Sequence, residues 1–254
     1  MATTVGVFGR GRLGSLISQA LTVNPDVECA WSLGRNEHPS ADVDVAIDVS
    51  HPDAVADHVT WANDTATDVV IGTTGWPAQA VRGSGRFSGV LIAPNFSLSM
   101  ALMRRFALVL GGYAEQSPEQ VDLAVTETHH RGKVDAPSGS AALLVSALAA
   151  GSGRRSGDIP TTSLRMGSVV GTHDIRFETP TEAITVSHQA HSREIFATGA
   201  LAAATWIHGR RGVFTIDDWA ADQLDDLFTS TQSSRRPTSP SPAMSPSPLT
   251  QEQS

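Results

Sequence analysis

The tightest constraint on the fold lies in the first two dozen residues. The apolar run Val5–Phe8 stops at Gly9-Arg10-Gly11-Arg12-Leu13-Gly14, and Leu13, Leu16, Ile17, Ala20 and Leu21 then recur at helical spacing. A buried strand, a G-x-G-x-x-G turn and an amphipathic helix in that order fit few architectures. The glycines permit the tight turn and let backbone approach a pyrophosphate, whose charge suits the exposed N–H groups of a helix start. Gly9, Arg10, Gly11, Arg12, Leu13 and Gly14 are therefore candidate dinucleotide contacts.

The rhythm continues in the same style. Val27–Leu33, Val43–Ile47, Val69–Ile71 and Val90–Ala93 read as further strands, each ending at turn-type residues. Strands alternating with helical stretches predict a parallel sheet with helices on both faces, and ligands in such sheets lie beyond the carboxyl ends of the strands. The pattern changes near residue 98. A helix over Ser99–Ala114 precedes strands at Val121–Thr126, Ile175–Phe177 and Ala183–Val186, with an apolar helix at Ala141–Ala150. The Ala-rich segment 194–208 and Asp217–Phe228 are helical again. The fold class is thus α/β, a Rossmann-type parallel-sheet domain with an inserted α+β substrate and oligomerisation domain. Residues 1–97 plus 206–228 form the first unit and 98–205 the second. Residues 229–254, mostly Ser, Thr and Pro, bury too little apolar surface to offset their ordering entropy and read as a disordered tail.

Composition narrows the class of function. A net charge of −8 argues against a general nucleic-acid binder. No apolar run approaches the ~20 residues needed to cross a bilayer, and residues 1–8 lack the regions of a secretory signal. The expected setting is soluble and cytoplasmic. One cysteine, Cys29, allows no internal disulfide and no metal site by itself, and reads as a small buried hydrophobe. Of the basic residues, 17 are arginine and one is lysine, Lys133. Lysine is the cation that can lose its proton within reach of neutral pH, so its survival in an arginine-biased chain marks a position where a compact ammonium matters.

Two clusters carry chemistry. At the tip of the second strand, where an acidic side chain would meet a free ribose 2′-hydroxyl, the chain has Gly34 and Arg35. The missing carboxylate and the guanidinium favour a 2′-phosphate, so NADPH is expected over NADH. The second cluster, Glu127-Thr128-His129-His130-Arg131-Gly132-Lys133-Val134-Asp135-Ala136-Pro137-Ser138-Gly139-Ser140, holds the lone lysine beside two imidazoles. Imidazoles exchange protons near neutral pH, and the Ser138-Gly139-Ser140 helix start suits a carboxylate or phosphate. Ser138–Ser140 is expected to act as helix cap and binding site together, and Asp135 as a structural partner. Zinc binding is disfavoured, because neighbouring imidazoles on a strand face opposite ways and no Cys or close acid completes a set; no metal is expected.

The stretch HHRGKVDAPSGSA resembles the signature of the 4-hydroxy-tetrahydrodipicolinate reductase (dihydrodipicolinate reductase) family. So do Ile47–Pro52, Val70–Gly75, Ala93–Ser97, Ser192–Ala197 and Gly199-Ala200, in the family's order across roughly residues 5–220. The resemblance implies a pyridine-nucleotide reductase of lysine and diaminopimelate synthesis. It places the proton donor or acceptor on His129, the catalytic lysine on Lys133, and substrate contacts on His130, Gly139 and Ser140, beside Ser138. It places cofactor contacts on the glycine turn, on Gly72, Thr73 and Thr74, on Ala93, Pro94, Asn95 and Phe96, and on Arg193 and Phe196. It also implies a homotetramer formed through the second domain's sheet.

Three departures from the family pattern stand out. One residue, Arg10, separates the first two glycines where the family has two; Ser140 stands for threonine; and Gly34 replaces an acid often found there. Two other functions fit less well. The glycine turn alone would suit another Rossmann oxidoreductase acting on a small amino-acid-derived substrate, such as a homoserine- or aspartate-dehydrogenase-like enzyme. A nucleotide sensor without catalysis would not need the proton carriers.

Overall fold

A computed structural model describes residues 2–229; the tail expected at 229–254 lies, apart from Thr229, outside the described residues. Along the chain come β1 (Thr3–Phe8), α1 (Arg12–Val23), β2 (Val27–Leu33), β3 (Val45–Asp48), α2 (Val55–Asp64), β4 (Asp68–Ile71) and β5 (Gly89–Ile92). Next are α3 (Leu98–Gln116), β6 (Asp122–His129), α4 (Gly139–Ser152), β7 (Thr161–Arg165), β8 (Gly171–Glu178) and β9 (Ala183–Ala190). The described chain closes with α5 (Glu194–Ile207), β10 (Gly212–Thr215) and α6 (Ile216–Thr229).

Six strands form a fully parallel sheet in the order β10-β5-β4-β3-β1-β2. The chain turns from β2 on one side of β1 to β3 on the other, so the crevice at the β1/β3 carboxyl ends is a topological switch point. Every residue of β3 and β4 is buried, as helices on both faces require. On one face Val5, Val7, Ile47, Val70 and Leu91 pack with Ile17 and Leu21 of α1, Ala200 and Ile207 of α5, and Trp219 of α6. On the other, Phe8, Ala46, Val69 and Ile71 pack with Val55, Val59 and Ala62 of α2.

The second sheet runs β7-β6-β8-β9. In β6 the burial alternates, so Leu123, Val125, Glu127 and His129 share the covered face, and His173, Ile175 and Phe177 of β8 do the same. Helices α3 and α4 cover that face. They cross closely: a Cβ at Gly111 would lie 2.5 Å from the Leu148 carbonyl oxygen, and one at Gly151 would lie 2.3 Å from that of Leu108.

The structure corrects three expectations. Helix α5 packs into the core of the parallel sheet through Ala197, Ala200, Ala203 and Ala204, so the return to the first unit comes near residue 194 rather than 206. Its small side chains let it sit close to the strands. Strands β7 and β10 escaped the sequence reading. β7 (TTSLR) is largely polar, and β10 (GVFT) is short and only partly buried.

Candidate active site

The expected cofactor residues gather at the carboxyl edge of the parallel sheet. Gly9 has φ +109°, and a Cβ there would lie 2.5 Å from the Val49 carbonyl oxygen in the loop after β3. A Cβ at Gly14 would meet the Gly9 carbonyl oxygen at 1.7 Å, so α1 can start this close to the turn only with glycine there. Gly11 caps α1 without a side-chain bond, and nothing lies within 4 Å of the space a Cβ would fill. That open cradle of backbone N–H groups fits a pyrophosphate despite the shortened turn. Arg12 is exposed and Leu13 half-buried beside it.

The neighbouring strand ends complete the edge. Phe96 is buried, with its ring 2.6 Å from where a Cβ of Gly72 would stand and its carbonyl oxygen 1.9 Å from that of Gly199. Two glycines therefore clamp Phe96 between β4 and α5, with Ala93 buried and Pro94 exposed just before it. Thr74 is exposed, but the Thr73 hydroxyl donates to the buried Asp48 carboxylate at 2.7 Å and positions the loop instead of offering itself to a ligand. Asp48 also accepts from Ser50 and bonds His58 Nδ1 at 2.7 Å. Arg193 starts α5 and Phe196 lies half-buried in its first turn.

Across the edge, Asn95 Nδ2 donates to Ser140 Oγ at 3.2 Å, joining the loop after β5 to the start of α4. This contact brings the loop after β5, one of the expected cofactor segments, against the Glu127–Ser140 cluster. At its centre is a residue whose role its neighbours in sequence do not reveal. Glu127 is fully buried; its carboxylate accepts a forked pair of bonds from Arg165 at 2.8 and 3.0 Å, one from the Ser138 N–H at 3.2 Å, and contacts His129 Nδ1. Burial pushes the Glu127 carboxyl up, but bonds from Arg165, Ser163, His129 and Ser138 outweigh it and bring it to about 2. An ionised carboxylate only accepts, so His129 carries its proton on Nδ1 and leaves Nε2 as the acceptor nitrogen. Burial lowers the His129 imidazole from its ordinary value, with Glu127 pulling it back up and Lys133 and Arg165 pushing it down. A Cβ at Gly171 would lie 3.0 Å from His129 Nε2, so that glycine leaves room for this edge of the ring.

Arg165 also donates to the Lys133 and Asp135 carbonyl oxygens, tying the lysine loop to the same anion. Lys133 Nζ pairs with Asp135 at 2.8 Å, and that ammonium, with help from backbone N–H groups, holds the Asp135 carboxyl below its usual range. Asp135 thus partners an ammonium as well as backbone. His130 lies half-buried just past β6, and its carbonyl oxygen accepts from the Lys133 N–H.

Ser138, expected as a substrate contact, has its polar groups already engaged. Its hydroxyl accepts from Ala141 N–H and bonds His173 Nε2 at 3.3 Å, and its N–H meets Glu127. The cap and the carboxylate claim it because it is buried; beside it Gly139, whose N–H also reaches the Asp135 carboxylate, is exposed and Ser140 is half-buried. His173 sits opposite Glu127 in the sheet register. Burial and the nearby imidazoles lower it to about 4, and its Nδ1 has no hydrogen-bond partner among the described residues.

Arg35 is exposed beyond β2. Cys29 is half-buried, and burial raises its thiol. Among the described residues no His, Cys, Asp and Glu cluster is placed to hold a metal, and no helix is long and apolar enough to cross a membrane.

Comparisons with known proteins fit this arrangement. The family model described as "Dihydrodipicolinate reductase, N-terminus" matches residues 3–96, and that described as "Dihydrodipicolinate reductase, C-terminus" matches 96–219. The chain is 32% identical to the 4-hydroxy-tetrahydrodipicolinate reductase of Laribacter hongkongensis, over 82% of this chain and 94% of that protein. It is 39% identical to that of Parvibaculum lavamentivorans, over 70% and 72%. The dipicolinate-bound dihydrodipicolinate reductase of Paenisporosarcina sp. TG-14 shares the fold, with a TM-score of 0.72 at 21% identity over 85% of this chain and 98% of that one. With the two family models together matching residues 3–219, the chain belongs to the dihydrodipicolinate reductase family.

Proposed function

We propose that this protein reduces 4-hydroxy-tetrahydrodipicolinate, a cyclic imine dicarboxylate, by a hydride and a proton to tetrahydrodipicolinate, the 4-hydroxyl leaving as water, in lysine and diaminopimelate synthesis. The observation that carries the reading is the Asn95–Ser140 contact, which joins the nucleotide edge to the cluster of Glu127, His129 and Lys133.

A nicotinamide cofactor, when bound, would supply the hydride. The Gly9–Gly14 turn and the open start of α1 would hold its pyrophosphate, and the Phe96 loop, Arg193 and Phe196 would receive its nicotinamide end. Lys133 and the N–H groups at Gly139 and Ser140 hold the substrate carboxylates, with His130 alongside. His129 exchanges the proton at Nε2 while Glu127 fixes Nδ1. Preplaced cations and dipoles stabilise the charge that grows during reduction, which is commonly the largest electrostatic contribution. A positioned acid adds about 10²–10⁴-fold.

NADPH is preferred over NADH in this reading. Arg35 is exposed at the tip of β2 and Gly34 offers no side chain to repel a phosphate. The working form is a cytoplasmic homotetramer assembled through the β6–β9 sheet. An absorbance assay fed by a dihydrodipicolinate synthase reaction, run with both reduced cofactors, tests the proposal. Oxidation of NADPH that depends on the cyclic imine supports it; oxidation with aspartate semialdehyde alone would assign a different dehydrogenase.

A further inference from the structure

We infer that Glu37 and Arg10 form the element that selects between nicotinamide dinucleotides with and without a 2′-phosphate, Glu37 supplying the carboxylate that the tip of β2 lacks. The inference rests on the nucleotide reading above and adds residues to it.

The sequence leaves that tip empty at Gly34, but the fold refills it. Asn36 adopts φ +62°, reversing the chain, and the Glu37 N–H donates to the Gly34 carbonyl oxygen at 3.4 Å. Glu37 Oε2 then accepts the Gly34 N–H at 3.0 Å. Glu37 Oε1 lies 3.7 Å from where a Gly34 Cβ would stand, in the space an acidic side chain at that position would enter. The carboxylate is latched there by Arg10 Nη1 at 2.8 Å. Arg10 is the single residue between the first two glycines, and its Nε and Nη2 also donate to the Ser32 carbonyl oxygen. The shortened turn therefore points a guanidinium across the strand tips at a carboxylate where an adenosine ribose is read.

Both side chains are about half-exposed, so the pair adds little to stability. Its geometry matters for what it presents. A ribose diol offers two O–H donors, which an ionised carboxylate accepts as strong bonds. A 2′-phosphate brings about −1.5 to −2 charges at pH 7. At ~5 Å from a carboxylate in water, that repulsion is worth about tenfold in affinity. Arg10 is also occupied by Glu37 and must turn away from it to meet the phosphate. The pair thus works against the preference for a 2′-phosphate that Arg35 and Gly34 create.

The test is calorimetric titration of the nucleotide-free protein and of Glu37→Gln with NADP⁺, NAD⁺, adenosine 2′,5′-bisphosphate and AMP. Glu37→Gln is expected to bind NADP⁺ about tenfold more tightly and NAD⁺ about fivefold more weakly, with the bisphosphate and AMP moving in the same directions. Arg10→Ala is expected to weaken the 2′-phosphorylated ligands more than the others. Equal shifts for both nucleotides, or none, would overturn the assignment while leaving the nucleotide site intact. Failure of the unaltered protein to bind either nucleotide would remove the reading beneath it as well.

Discussion

Replacing Glu127 with glutamine tests the site at its most buried point. The native carboxyl titrates at about 2 against an ordinary 4.5. At about 1.4 kcal/mol per pH unit, that gap contributes about 3 kcal/mol of stability. The sign follows from proton uptake. As pH falls below 4.5 the unfolded chain takes a proton that the native state refuses until about 2. The contribution is therefore complete above 4.5 and lost as pH falls through 2.

Glu127→Gln removes this term and leaves Arg165 facing a neutral amide. At pH 7 the variant is expected to unfold roughly 6–12 °C below the unaltered protein, from ~3 kcal/mol and a chain of this size. The gap closes as pH falls towards 2. The amide also no longer dictates which His129 nitrogen carries the proton, so turnover drops by about 10²-fold or more, while nucleotide affinity stays within about twofold. Calorimetric melts over pH 2–7, steady-state rates and nucleotide titrations read all three. Unchanged turnover with an unchanged acid-unfolding curve would refute the account of Glu127 as the anchor of His129.

Other perturbations probe the same construction. Lys133→Ala is expected to lower turnover by about 10²–10⁴-fold with nucleotide affinity nearly intact; near-normal rates would remove Lys133 from the reaction. Gly171→Ala presses a methyl group against His129 Nε2 and is expected to cost about 10–100-fold in kcat with little change in melting temperature. Gly14→Ala has no room beside the Gly9 carbonyl oxygen, so nucleotide binding measured by calorimetry is expected to disappear before any effect on the β6–β9 sheet. His173, lowered from 6.5 to about 4 by burial and the neighbouring imidazoles, refuses a proton that the unfolded chain accepts. It costs about 3 kcal/mol as pH falls from 6.5 to 4, and His173→Asn is expected to flatten urea midpoints across that window.

Local sequence determined much of this protein. The strand, glycine turn and helix at its start announced the parallel sheet, because steric room and apolar period are properties of neighbouring residues. The lone lysine among arginines and its neighbouring imidazoles marked the loop of the candidate site for the same reason. Glu127 was visible in that stretch, and its two-residue offset from His129 on a strand places both on one face. Its role was not legible, because Arg165 arrives from β7, a polar strand whose pairing with β6 spans about forty residues. Gly171, His173 and the Asn95–Ser140 contact are also products of long-range pairing. Glu37 gives the plainest case. Composition at the tip of β2 showed no acid at Gly34, and one left-handed residue at Asn36 put a carboxylate back beside it. What a side chain is follows from sequence; which distant charge it faces is decided only when the chain closes on itself and removes water from between them.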